Sequence, residues 1–113
     1  MNRIQRRTVR FDSFDASLTT NRVRVAVGRA ASVRVEASPQ DTAWSAGSID
    51  FYAVGPGGRR QIAGRSIAAG GGAEILEEAD LTGVEEIEAV MNGVAGSSPT
   101  FVTLAFTLEE PQA

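Results

Sequence analysis

Thr100–Glu109 reads TFVTLAFTLE, and its period decides the fold. Val102, Leu104, Phe106 and Leu108 fall on one side of an extended chain, with Phe101, Thr103, Ala105 and Thr107 on the other. Successive side chains of a strand point to opposite faces, so this alternation predicts a strand with one face in a core and one outside it. The same period recurs toward the N-terminus. In Asn21–Val27 the residues Val23, Val25 and Val27 alternate with Arg22, Arg24 and Ala26. In Ala31–Ala37, Val33 and Val35 alternate with Ser32, Arg34 and Glu36. Gly28-Arg29-Ala30 lies between them as a turn, so the two VRV segments are expected to pair as a hairpin.

Ser48–Val54 alternates again, with Ile49, Phe51 and Ala53 on one face and Asp50, Tyr52 and Val54 on the other. Gly55-Pro56-Gly57-Gly58 is turn chemistry, because Gly accepts positive φ and Pro fixes φ at the value of a turn start. Arg60–Ile67 is expected to return as a strand, and Glu74–Glu78 to form a short one. Leu81–Asn92 is ambiguous: Val84, Ile87 and Met91 have helical spacing, whereas Ile87, Ala89 and Met91 have strand spacing. The strand is favoured, since a lone three-turn helix is marginal and both neighbours alternate. Thr8–Phe14 reads as a strand, or as an arm that becomes one upon docking. Seven to eight short strands with Gly, Pro and Ser turns every eight to twelve residues predict an all-β antiparallel sandwich, jelly-roll or immunoglobulin-like. The expected organisation is an extended N-terminal arm over 1–10, a sandwich over 11–109 and a frayed tail over 110–113.

Composition narrows the chemistry. The 113 residues include neither Cys nor His. That removes disulfides, thiolate nucleophiles, the usual general base near neutral pH and the commonest transition-metal ligands. No enzyme, cofactor or metal site is therefore expected; paired carboxylates alone could serve as acid and base, but no scaffold positions such a pair. Met1–Arg10 carries four Arg and no long apolar run, so it reads as neither a signal peptide nor a membrane span, and synthesis in the cytoplasm is expected. Charge is unevenly spread: residues 1–34 carry +6 and residues 35–113 carry −9.

That asymmetry nominates two sets of residues. Arg3, Arg6, Arg7 and Arg10 suit carboxylates on an acidic protein surface, including that of a neighbouring copy, where bidentate pairs fix register. Nucleic acid is disfavoured, because the chain lacks Lys and its body is acidic. Glu77, Glu78, Glu86 and Glu88 are expected to form the complementary edge, with Glu86 and Glu88 together on an exposed face. Their order does not follow a calcium-loop pattern. Gly58–Ser66 lacks the spacing and the Lys of a phosphate-binding loop and reads as a turn leading into a strand. Trp44 and Tyr52 are candidates for stacking on a sugar ring.

Three segments carry a likeness: the Arg-rich start Asn2–Arg10, the run SIDFYAVGPGGRRQIAG from Ser48 to Gly64, and LTGVEEIEAVMNG leading to TFVTLAFTL. In this pattern the chain resembles the small β-sandwich accessory proteins of tailed-bacteriophage virions, such as capsid decoration, head-fibre and minor structural subunits. The resemblance implies a non-catalytic virion component, made in the host cytoplasm and present in many copies. It would dock on other copies of itself and on a larger assembly such as a phage capsid, through its arm or a sheet edge. A carbohydrate-binding or adhesin-like module, with a glycan as partner, is the competing expectation.

Overall fold

The computed structural model describes residues 3–15, 22–39, 46–64, 66–68, 74–95 and 101–112. These form nine strands: β1 (Arg3–Asp15), β2 (Arg22–Ala26), β3 (Ser32–Pro39), β4 (Ala46–Gly55), β5 (Gly58–Gln61), β6 (Ile67–Ala68), β7 (Glu74–Glu78), β8 (Glu86–Ala95) and β9 (Phe101–Gln112). Eight have four residues or more; β6 has two. One sheet runs β1-β9-β3-β7, the other β2-β8-β4-β5 with β6 also on β4, and every pairing is antiparallel. The first strand lies beside the last, and neighbours in the chain are mostly placed in opposite sheets. This order is that of a jelly roll and not of an immunoglobulin sandwich.

The two VRV segments are not a hairpin. β2 pairs β8 in one sheet, whereas β3 pairs β7 and β9 in the other. The turn between them changes sheets within a few residues: Val27 N–H donates to the Glu85 carbonyl at 2.9 Å and Ala31 N–H to that of Glu109 at 2.9 Å. A bond from Ala30 N–H to the Val27 carbonyl closes it, with Gly28 at φ 59°. Both valine rows bury their side chains in the same interior, which two strands in opposite sheets satisfy as well as two neighbours do.

The β4–β5 hairpin forms around Pro56-Gly57 as expected, with Gly55 opposite Gly58. The returning segment is not one continuous strand. A 3-10 turn at Ile62–Gly64, with Ala63 at φ 56°, divides β5 from β6. This break lets Ile62 and Ile67 both reach the core. In the ambiguous segment, strand β8 starts at Glu86 and residues 81–85 are turn and irregular chain.

Val102, Leu104, Phe106 and Leu108 are fully buried, as the alternation of TFVTLAFTLE requires. Phe106 joins the layers. Its ring meets Phe11 of the same sheet edge-on at 6.0 Å and Phe51 of the opposite sheet at 5.8 Å. Glu110–Gln112 is strand and not a frayed tail: β9 pairs β1 continuously from Arg3↔Gln112 to Phe11↔Leu104, with a register shift before Phe14. The boundaries expected after Arg10 and after Glu109 thus fall inside β1 and β9. β3 ends its pairing with β9 at Ser32↔Glu109, so the last three residues of β9 pair only with β1.

No helix among the described residues is long and apolar enough to cross a membrane.

Candidate functional site

Sheet geometry separates the residues that the sequence nominated. β1 and β7 are the two edges of the first sheet, three strand spacings apart. On the outer face of β1, Arg6 stands opposite Glu109 and its Nε donates to Glu109 Oε1 at 3.2 Å. Arg10 pairs with Asp12 at 3.1 Å. Both pairs are exposed, and ion pairs of this kind contribute little to stability, which leaves these arginines free to exchange partners. Arg7 does something else. Its Nη2 donates to the carbonyls of Ala26 at 3.0 Å and Val27 at 3.3 Å, fastening β1 to the end of β2. Arg3 takes its place in β1 opposite Gln112.

The four nominated glutamates do not share one surface. Glu77 and Glu78 lie on β7, whereas Glu86 and Glu88 lie on β8, inside the other sheet. Glu77 faces outward against Arg34 at 3.2 Å. Glu78 is bound at 2.9 Å by Arg60 and also accepts from Ala63 N–H. Glu88 departs from expectation: it shares a face with Glu86 but is only 2% exposed. Cross-strand neighbours explain this, because Arg24 of β2 and Tyr52 of β4 flank it in register. Arg24 binds Oε2 at 2.9 Å, and Arg59 binds Oε1 at 3.3 Å while its guanidinium lies 4.2 Å above the Tyr52 ring. A carboxylate covered by two cations is a structural tie across strands, since a buried charge must be paired.

The same face holds a second buried carboxylate that no feature of the sequence marks out. Asp50 accepts from Asn92 Nδ2, Ser66 Oγ and Gln61 Nε2, and so links β4 to β8, to the end of β5 and to the segment that follows it. Alternation places Asp50 on an outer face, but its partners are distant in sequence and no local signal predicts them. Tyr52 has one ring face occupied by Arg59, which removes that face from sugar stacking. Trp44 lies outside the described residues. Among the described residues no three His, Cys, Asp or Glu side chains are grouped to hold a metal ion.

Two open grooves mark the described surface. One, of about 190 Å3, crosses the outer face of the first sheet between Arg34, Glu77, Thr107 and Glu109. The other, of about 230 Å3, lies between the β4–β5 hairpin and the turn at 81–85. Both are smaller than the roughly 300–1,000 Å3 of small-molecule pockets.

That fold has counterparts among solved structures. The SPBc2 prophage-derived protein YomS superposes end to end, with a TM-score of 0.57 at 15% identity over 97% of this chain and 96% of YomS. The PBSX exported protein XepA matches 93% of this chain with a TM-score of 0.60 at 17% identity, and the match spans 38% of XepA. A Clostridium perfringens protein, CpGH89CBM32-4 in complex with GlcNAc-α-1,4-galactose, matches 92% of this chain and 89% of its own, with a TM-score of 0.51 at 8% identity. At these identities the likeness establishes a shared fold. No family model and no curated protein matches the sequence.

The turn at 80–84 is held by Asp80, whose Oδ1 accepts from Thr82 N–H at 3.0 Å. Hydrogen bonds from the Thr82 side chain and backbone hold the Asp80 carboxyl below its ordinary range, with a smaller contribution from Arg60. A depressed carboxylate stabilises the fold above its unfolded value and loses that contribution as pH falls through the folded one. Thr82→Val is therefore expected to raise the Asp80 midpoint in an NMR titration, and to narrow the acid range over which this turn stays ordered. An unchanged midpoint would show that the Thr82 hydroxyl does not hold Asp80.

Proposed function

We propose that this chain is a non-catalytic structural subunit of a phage particle, a capsid decoration or accessory protein that assembles through its sheet edges. The observation that carries the reading is the end-to-end correspondence with YomS, a prophage-derived protein of nearly the same extent. The site chemistry agrees. The buried carboxylates Asp50 and Glu88 are consumed by cross-strand ties, and the first sheet has a basic edge and an acidic one. Mass spectrometry of purified particles from the encoding phage tests the reading. The protein is expected to co-purify with particles at a fixed copy number; recovery only in the particle-free fraction would reject it.

A carbohydrate-binding module is the second reading, favoured by the likeness to CpGH89CBM32-4. Tyr52, capped on one face by Arg59, weakens it, and Trp44 becomes the residue to test. Glycan-array binding that disappears in Trp44→Ala with the fold retained would select this reading. Absence of binding to any glycan would remove it.

A further inference from the structure

The first sheet has four strands, all antiparallel, in the order β1-β9-β3-β7. An even number of antiparallel strands makes the two edges run in opposite directions. A copy displaced sideways along the sheet therefore brings its β7 against β1 already antiparallel, with inner faces level with inner faces. Pairing of either edge with itself across a twofold axis is also geometrically open, so charge must choose. Over Arg3–Arg10, β1 holds four Arg and no acid; β7, with the sequence EILEE, holds three Glu and no base. Two β1 edges or two β7 edges would oppose like charges, whereas β1 against β7 opposes unlike ones.

Apolar side chains mark both edges as surfaces to be covered, while charge alone selects the partner. Ile4 is 64% exposed and Ile75 is 45% exposed; they lie on β1 and β7 respectively. Both point to the outer face: Ile4 shares the parity of Arg6 and Thr8, opposite to inward Val9, and Ile75 neighbours the buried Leu76. Large apolar side chains on an edge strand are a liability in a monomer, and a second strand covers them.

We infer that β1 of one copy pairs antiparallel with β7 of a second copy of this chain, extending the first sheet head to tail across copies. The inference deepens the proposed assembly role and rests on it. Face parity limits the partner of Glu77 on the outer face to the even positions Ile4, Arg6, Thr8 and Arg10, and charge selects Arg6 or Arg10. Arg34, which holds Glu77 within the chain, is exposed and is released or shared when the intermolecular pair forms. Such an interface is heterologous: each junction leaves one basic and one acidic edge unused. The right-handed twist of the sheet rotates each copy relative to the last, so repetition gives a ring or a helical filament.

Charge reversal on each edge separately tests the pairing. Glu77→Arg makes the outer faces of both edges basic, and Arg6→Glu with Arg10→Glu makes both acidic. Arg7 is left in place because it fastens β1 to β2, and circular dichroism verifies the sandwich in both variants. Arg6→Gln with Arg10→Gln serves as a milder version that places no new carboxylate beside Glu109 or Asp12. In sedimentation velocity at low salt, the wild type is expected to self-associate, and each reversed variant to associate about tenfold more weakly or worse. An equimolar mixture of the two reversed variants is expected to recover association, because each supplies the edge the other lost. Reversed variants that associate like the wild type, or a mixture that does not recover, would overturn the edge assignment while leaving assembly through another surface. A wild type that is strictly monomeric at low and high salt would overturn the assembly reading itself.

Discussion

Phe106→Ala is expected to destabilise the protein by about 3–5 kcal/mol, the largest loss expected of a single core truncation. Phe106 is fully buried between Val9 and Val35, its register partners on either side, and among the described residues its ring is where aromatic side chains of the two sheets meet. Truncation removes the ring's share of hydrophobic transfer and leaves a cavity between two ladders whose own hydrogen bonds prevent collapse. A loss of this size is comparable to the total stability of a small domain, so the variant should be partly unfolded at room temperature. Phe106→Leu, which keeps much of the volume, should retain the fold at a cost of roughly 1 kcal/mol. Urea midpoints decide the matter: losses below about 1 kcal/mol in Phe106→Ala would show that the sheets do not meet on this ring.

Gly55→Ala is the second large effect, and it acts through the backbone. A Cβ at Gly55 would lie 2.1 Å from the carbonyl oxygen of Gly83, a separation that no relaxation of a side chain can relieve. The hairpin end and the 81–85 turn must part, and the hydrogen bond from Glu85 N–H to the Val54 carbonyl, 2.8 Å long, is lost with them. The expected cost is about 3 kcal/mol. Gly57 sits two residues away, with nothing within 4 Å of the place a methyl group would take and no left-handed φ. Gly57→Ala should therefore be neutral or stabilising by about 0.5 kcal/mol, through loss of freedom in the unfolded chain. Equal effects at the two positions in thermal unfolding would argue against the close approach of Gly55 to Gly83.

Residue alternation makes the strands legible, and TFVTLAFTLE foretells its buried face residue for residue. Alternation reports which face of a strand is buried; it carries no information on which strand lies alongside. For this reason VRV-turn-VRV points to a hairpin, although β2 and β3 belong to opposite sheets and share only the core between them. The break at Ile62–Gly64 is hidden because Ile62 and Ile67 are five apart, a spacing that suits neither period and only places both in the core once a 3-10 turn intervenes. Site residues are legible as charges and illegible as environments. Glu86 and Glu88 are two apart on one strand, yet Glu88 is the one clamped between two arginines, which come from β2 and β5. The edge charges are visible in the sequence as a basic start and an acidic middle, and strand order alone reveals that β1 and β7 border the same sheet.

Copies can meet edge to edge, without exchanging an arm, only while β1 stays paired with β9 of its own chain. Thr8 and Thr107 are direct register partners on the outer face, and the natural chain has no cysteine to compete. Antiparallel partners have Cα separations that a disulfide can bridge. In the doubly substituted Thr8→Cys, Thr107→Cys protein, oxidation is expected to yield an intrachain bond and a monomer-sized band on non-reducing electrophoresis. A ladder of covalently linked dimers and higher species, with little oxidised monomer, would contradict that pairing and place the first strand on a neighbouring copy.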